Sequence, residues 1–310
     1  MSAPLFDTRQ VRRAFSRSAA SYDGAARLQR LVEARLLESL DYLDDPALGR
    51  APPQVVLDLG CGTGHASGLL QRRWPKARVL ALDLALPMLA QARAANAAPR
   101  LPGLPLRNPF AATPQPVCAD ARALPLAEAS VDVIFSNLCL QWVEDLGAVL
   151  AGFRRVLKPH GLLLFSTFGP DTLWELRAAF AQADDAPHVS PFMDVAAVGD
   201  ALVAAGFFQP VVERDLETSL YPDMPALMRE LRALGATNAL ASRRHALTGR
   251  RRFAVAAEAY EARREADGLP ASWEIISAMA WAPEAGTPIR EHGIELAAVP
   301  VARIPIRRRG

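Results

Sequence analysis

The stretch "VVLDLGCGTGHASGLL", Val55 to Leu70, decides how the rest of the chain is read. An apolar strand-like run leads into three glycines at alternate positions, and a helix-like pattern follows. A glycine loop between a strand and a helix sets backbone N–H groups and a helix N-terminus beside a ligand. Dinucleotide-binding loops space their glycines G-x-G-x-x-G, whereas Gly60, Gly62 and Gly64 follow G-x-G-x-G. Asp58 stands two residues before the first glycine, where a carboxylate repels a pyrophosphate and attracts an ammonium group. Both features disfavour a dinucleotide oxidoreductase.

Working outward, strands and helices alternate: "VVLDLG", a helix over 64 to 73, "RVLALD", a helix over 86 to 97, "PVCAD", "VDVIFSN", a helix over 145 to 157, and "GLLLFSTF". Almost continuously apolar strands in that alternation predict an α/β fold with a doubly wound parallel sheet covered by helices on both faces. Before it, residues 9 to 43 read as one or two helices with Leu28, Leu31, Val32, Leu36 and Leu40 at helical spacing. After it come helices over 171 to 183 and 194 to 205, a strand over 207 to 219, helices over 225 to 235 and 248 to 266, and a last strand over 272 to 281. The two helices between the last two strands read as an insertion. The segment 98 to 117 holds six prolines and reads as a long surface loop. The division is thus an N-terminal helical segment over 1–50 and one domain over 51–310, with inserted helices over 220–268.

The composition narrows the class. The chain has 310 residues, 51% of them hydrophobic and 22% charged, as in an ordinary globular protein. No apolar run reaches the roughly 18 residues of a membrane span, and the N-terminus lacks the apolar stretch of a signal peptide, so a cytoplasmic setting is expected. A net charge of +2 demands no nucleic acid. Arginines nevertheless gather in "SRRHALTGRRRF" and at the C-terminus, and such patches steer acidic partners. Cys61, Cys118 and Cys139 are scattered, odd in number and without a C-x-x-C pair, which argues against disulfides and zinc. The five histidines are scattered too, and no metal is expected.

Two further carboxylates end strands. Asp83 lies 19 residues after Gly64, where doubly wound folds bind ribose hydroxyls, and Asp120 in "CADARALPL" is placed to accept from an adenine amine. Three carboxylates at three strand ends suit a nucleoside bearing a cationic amino acid tail, and S-adenosylmethionine fits that description. Asp residues that merely cap turns are the competing reading.

"VLDLGCGTG", "LALDLALPMLAQAR", "CADARALPLAEASVDVIFSN" and "RRVLKPHGLLLFSTF" together resemble the class I S-adenosylmethionine-dependent methyltransferases over about residues 52 to 168. The resemblance implies that Asp58, Gly60, Gly62 and Gly64 meet the methionine moiety and Asp83 the ribose. It gives Asp120 and Ala121 to the adenine, and sets Ser136 and Asn137 beside the reacting methyl.

The strand end "FSNLCLQWVEDL" lacks the Asn/Asp-Pro-Pro-aromatic pattern of base N-methyltransferases, and Ser136, Asn137 and Gln141 are neutral. An acceptor that is already an anion needs no base, so a carboxylate would be methylated through positioning and desolvation. "VRRAFSRSAASYD", "STFGPDTLWELRAAF", "PHVSPFMD" and "LMRELRALGATNALASRRHALTGR" resemble the malonyl-acyl carrier protein O-methyltransferases, inserted helices included. That resemblance implies methylation of the malonyl carboxylate on acyl carrier protein, giving the ester from which the biotin precursor is built. The tail "EADGLPASWEIISAMAWAP" is equally similar to a methyltransferase-like protein arginine hydroxylase that serves respiratory complex assembly. A small-molecule methyltransferase of other specificity is a further alternative.

Tyr22 matches the family's lid and either closes over cofactor and acyl group or anchors the helix. Trp142 reads as core or substrate wall. Arg243 and Arg244 are candidates for the malonyl carboxylate or the pantetheine phosphate, and Arg250, Arg251 and Arg252 for docking the acidic carrier protein. His188 follows the family pattern without a chemical role.

Overall fold

The computed structural model describes residues 4–44, 50–97, 111–244 and 248–284, together with the backbone of two short strands at 289–291 and 294–296. Three helices open the chain: α1 (Thr8–Ser18), α2 (Tyr22–Ala25) and α3 (Arg27–Glu38). The sheet elements then alternate as β1 (Val55–Leu59), α4 (His65–Arg73), β2 (Arg78–Asp83), α5 (Leu86–Ala95), β3 (Gln115–Cys118), β4 (Val131–Ser136), α6 (Leu146–Val156) and β5 (Leu157–Phe168). The remainder is α7 (Trp174–Ala181), α8 (Val195–Ala204), β6 (Phe208–Tyr221), α9 (Met224–Ala233), α10 (Arg250–Glu261) and β7 (Leu269–Trp281), followed by the hairpin β8 (Ile289–Glu291) and β9 (Ile294–Leu296).

Seven strands form one sheet in the order β3-β2-β1-β4-β5-β7-β6. The first five pair in parallel, as apolar strands with helical crossovers predict. The last pairings add an antiparallel edge to that parallel sheet, because β7 runs antiparallel to both β5 and β6. The chain crosses from β6 through α9 and α10 and re-enters between β5 and β6, so the inserted helices lie inside an antiparallel pair. Residues 9 to 43 also divide further than expected, into three helices and a short 3-10 turn at Asp41–Asp44. The proline-rich stretch ends earlier than expected, since β3 already begins at Gln115, while its residues 98 to 110 lie outside the described residues.

Strand alternation sorts the core into two layers. Leu57 and Leu59 of β1 face a layer with Leu150 and Phe153 of α6 and Leu202 of α8. Val56 faces the opposite layer with Leu70 of α4 and Leu36 of α3. Asp58 shares the side of Val56, which explains how a carboxylate comes to be buried beneath α4. A third cluster packs α7, α9 and α10 against the end of β7, with Tyr260, Leu227 and Trp273 at its centre. It builds one wall of the second chamber described below.

Candidate active site

The loop after β1 turns four of its backbone donors inward. Gly60 and Cys61 N–H both donate to the Leu82 carbonyl, at 2.8 and 2.9 Å, and Gly64 N–H donates to the Cys61 carbonyl. Gly62 N–H donates to Asp83 Oδ2 at 3.0 Å. Gly62 and Gly64 hold φ of +53° and +79°, in the left-handed region that L side chains rarely adopt. Tight coiling at these positions is what turns the N–H groups inward.

Around the loop the charges are negative. Asp58 is 2% exposed and accepts from Ser67 Oγ, the first hydroxyl of α4 within reach. Burial pushes its carboxyl up to about 7, with Ser67 partly opposing and Glu33 and Asp83 adding repulsion. Asp83 accepts from Ala85 N–H at 2.8 Å as well as from Gly62, and its pKa is raised by burial against those hydrogen bonds. Each Asp83 oxygen thus holds one backbone N–H and keeps a lone pair for a further donor.

A cavity opens over this loop. Gly60, Gly62, Asp83, Asp120, Ala121, Asn137, Tyr22 and Trp142 all line it. Asp58, Gly64 and Ser136, by contrast, stand behind its lining. Ser136 is fully buried and donates to the Leu59 carbonyl at 3.0 Å, so it ties β4 to β1. Asp120 is bound bidentately by Arg122 at 2.9 and 2.6 Å, which holds its carboxyl below the ordinary range.

A second, mostly apolar chamber of about 1,910 Å³ adjoins the first, and the two share Phe15, Tyr22, Leu138 and Trp142 in their walls. Groups at this junction stay neutral. Burial raises the Tyr22 phenol well above its usual value, and burial followed by the nearby Asp83 charge pushes the Cys139 thiol up to about 12. Trp142 sits edge-on to Phe15 with ring centres 5.4 Å apart and lies 6.0 Å from Phe6, so it is a wall and an anchor for the N-terminal helices at once.

Several side chains that fasten the site were not evident in the sequence. Thr63 Oγ1 of the glycine loop donates to Asp23 at 2.6 Å, and His65 pairs with buried Glu33 of α3. Asn137 Nδ2 donates to the Gln29 carbonyl at 3.0 Å while its Oδ1 accepts from Ser166 Oγ at 2.8 Å. The first helices are therefore pinned to both the loop and the β4 end. Their contacts join residues 32 to 108 positions apart, which no local pattern records.

The arginine candidates line the second chamber but are engaged. Arg243 donates to Asp7 at 3.0 Å and to the Leu240 carbonyl at 2.9 Å. Arg244 and Arg252 both reach Asp184 at 3.4 Å. His188 completes this cluster: it meets Asp184 at 2.8 Å and stacks on Phe180 with ring centres 3.9 Å apart. Asp184 and His188 both lie in the irregular segment after α7, where no helical spacing marks the pair. Arg250 and Arg251 are exposed in the first turn of α10. Among the described residues, no group of three or more His, Cys, Asp or Glu side chains could hold a metal ion, and no helix is long and apolar enough to cross a membrane.

The family described as "Methyltransferase domain" matches residues 57–165, from β1 to β5. A protein of Xylella fastidiosa (strain M23) named malonyl-acyl carrier protein O-methyltransferase is 58% identical over 306 residues, covering 98% of each chain. The protein of that name from Laribacter hongkongensis (strain HLHK9) is 46% identical over 90% of this chain and 91% of its own. Among solved structures, a methyltransferase from Bacillus halodurans C-125 has the same fold, with a TM-score of 0.54 and 17% identity over 81% of this chain and 98% of the other.

Proposed function

Because the chain belongs to the malonyl-acyl carrier protein O-methyltransferase family, we propose that it methylates the free carboxylate of a malonyl group carried on acyl carrier protein. The observation that carries this reading is the neutral junction between the two chambers. Phe15, Leu138 and Trp142 have no acid–base chemistry there, and burial keeps Tyr22 and Cys139 protonated. An amine or alcohol acceptor would need a base at that point. A carboxylate arrives already ionised and needs only to be positioned.

S-adenosylmethionine is the cofactor and supplies an electrophilic methyl on a sulfonium. Asp83 would hold the ribose hydroxyls through its remaining lone pairs, Asp120 and Ala121 would border the adenine, and the Asp58 charge behind Gly60 and Gly62 would favour the amino acid tail's ammonium. Gly60 suits such a seat, because a Cβ there would meet Cys139 Sγ at 2.4 Å and displace the wall of the cavity. A malonyl carboxylate held in the second chamber would attack with no proton to lose, and the bound cofactor would supply the methyl and keep the carbon–sulfur bonding pair on sulfur. An anion and a cation become two neutral molecules, so an apolar, dry chamber lowers the barrier. The wall of Phe168, Leu176, Phe180 and Trp273 provides that environment. The helices of residues 1–50 act as a lid that excludes water, with Tyr22 and Trp142 closing the junction and Asn137 ordering its floor.

Arg243 and Arg244, already paired with carboxylates, are better placed to hold the chamber's mouth than to clamp the substrate; a tight clamp would also blunt the nucleophile. Arg250 and Arg251, with Arg252 behind them, suit the acidic surface of the carrier protein. A carrier-bound substrate sets the reaction in the cytoplasm. The test is incubation with methyl-labelled S-adenosylmethionine and malonyl-carrier protein. Base-labile label on the malonyl group is the expected result, and no transfer under conditions in which a relative is active would overturn the reading.

A further inference from the structure

The first helix carries a charge that its surroundings do not answer. The inward face of α1 holds Val11, Ala14, Phe15 and Ser18, and Phe15 lines both cavities. The outer face presents Arg9, Arg12, Arg13 and Arg17, all exposed, and the helix contains no acidic residue. Arg9, Arg13 and Arg17 stand four residues apart in one row, where like charges destabilise a helix. The nearest acids along the chain are engaged elsewhere: Asp7 accepts from Gln10 N–H and Arg243, and Asp23 from Arg30 and Thr63. Among the described residues, none of the four arginines makes a side-chain hydrogen bond or ion pair. A partner surface bearing carboxylates would offset their repulsion.

The place of α1 in the fold selects the partner. The segment after α9 runs beside it: Asp7 N–H donates to the Ala239 carbonyl and Ser21 Oγ to the Ala233 carbonyl, both at 2.9 Å. Arg232, exposed and also without a side-chain partner among the described residues, precedes that second carbonyl and lines the acceptor chamber. On its other side α9 meets α10, so the arginines of α1 and those opening α10 flank the helix whose Met228 and Leu231 wall the chamber. A carrier that delivers its acyl group into this chamber comes to rest against these helices. A membrane fits poorly, because the outer face of α1 has no large apolar side chain among its arginines to insert. We infer that Arg9, Arg12, Arg13 and Arg17 of α1, continued by Arg232, form a docking surface for the acidic face of the carrier protein. This rests on the carrier-bound substrate proposed above and adds a second surface to that of α10.

The test combines Arg9→Gln, Arg13→Gln and Arg17→Gln in one variant, leaving Arg12 in place because it lines the cofactor cavity. KM for malonyl-carrier protein should rise about tenfold at low salt, the difference closing at high salt. The variant's kcat, its affinity for S-adenosylhomocysteine and its rate on malonyl-pantetheine, which brings no carrier surface, should stay at wild-type values. Lys at the same three positions should keep the wild-type KM. An unchanged low-salt KM in the Gln variant would overturn the inference. So would an equal rise on malonyl-pantetheine, a Lys variant as impaired as the Gln variant, or a duplex oligonucleotide that displaces the carrier through these arginines. Fluorescence anisotropy of labelled carrier protein bearing only its pantetheine arm separates this inference from the proposed reaction. Salt-sensitive binding to wild type that the Gln variant loses sustains the docking surface even where no malonyl group is methylated. Equal binding by both proteins removes the docking surface and leaves the proposed reaction standing.

Discussion

Cofactor binding should draw a proton from Asp58. In the free protein burial raises this carboxyl to about 7, and Glu33 and Asp83 oppose its ionisation. An ammonium group brought to the glycine loop supplies the opposite charge and restores the ionised form. The sign follows directly: below pH 7 the free protein holds the proton, the complex does not, and affinity rises with pH. Taking the bound carboxyl as fully ionised, the dissociation constant should fall about eightfold, or about 1.3 kcal/mol, between pH 6.0 and 7.5, with about 0.9 proton released at the lower pH and about 0.2 at the upper. The window stops at 7.5 because an α-amino group itself deprotonates near 7.7 to 8.0. Calorimetric titration of S-adenosylhomocysteine, which carries the same amino acid tail, in buffers of differing ionisation heat measures both quantities. Asp58→Asn should bind more weakly and without the slope. A wild-type affinity that is flat over this range, or a slope that persists in the variant, would refute the assignment of Asp58 to the ammonium.

Asp83→Ala should weaken cofactor binding by about 2 to 3 kcal/mol, the value of charge-assisted hydrogen bonds, with the circular dichroism spectrum unchanged; unaltered affinity would move the ribose elsewhere. Gly64→Ala should lower stability by roughly 2 to 5 kcal/mol, because a Cβ there would meet Ala92 Cβ at 2.6 Å in a left-handed conformation. Gly62→Ala, with nothing nearer than Tyr22 at 3.9 Å, should cost only about 1 to 2 kcal/mol, and thermal denaturation of the two variants tests the order. Replacing Arg250 and Arg251 with Ala should raise KM for malonyl-carrier protein roughly threefold to tenfold at low salt, the difference closing at high salt. An unchanged KM at low salt would return both arginines to ordinary solvated surface.

The fold was legible where local pattern and long-range pairing agree. Apolar runs of strand length separated by helical spacing lead to parallel pairing almost by necessity, since a crossover helix returns the chain to the same end of the sheet. The direction of β7 had no such marker. "SWEIISAMAW" is apolar enough to lie between two neighbours, but nothing in ten residues says that it enters between β5 and β6 and runs the other way. That depends on where α9 and α10 deliver the chain. Loop ends and strand starts suffer for a related reason: prolines mark the stretch before β3 as irregular, yet Pro116 lies within the strand at the sheet's edge, where one neighbour suffices.

The site was legible as chemistry and illegible as wiring. Asp58, the glycine spacing and Asp83 announce a cationic nucleoside because their roles follow from position along one strand-loop-helix unit. What the spacing could not reveal is that the loop spends its N–H groups on Leu82 and Asp83. Those N–H groups are thereby turned away from any ligand in the cavity. At the arginines the fold adds partners that the spacing does not show. Read along the sequence, Arg243 and Arg244 look like free cations beside a carboxylate substrate; in three dimensions Asp7 and Asp184, 236 and 60 residues away, already neutralise them. A methyl transfer that annihilates charge gains from this arrangement. Uncompensated guanidinium groups at the junction would stabilise the malonyl anion in its ground state and lose that stabilisation as the ester forms, raising the barrier. Pairing Arg243 with Asp7 and Arg244 with Asp184 tempers that effect, while Phe168, Leu176, Phe180 and Trp273 supply an apolar wall.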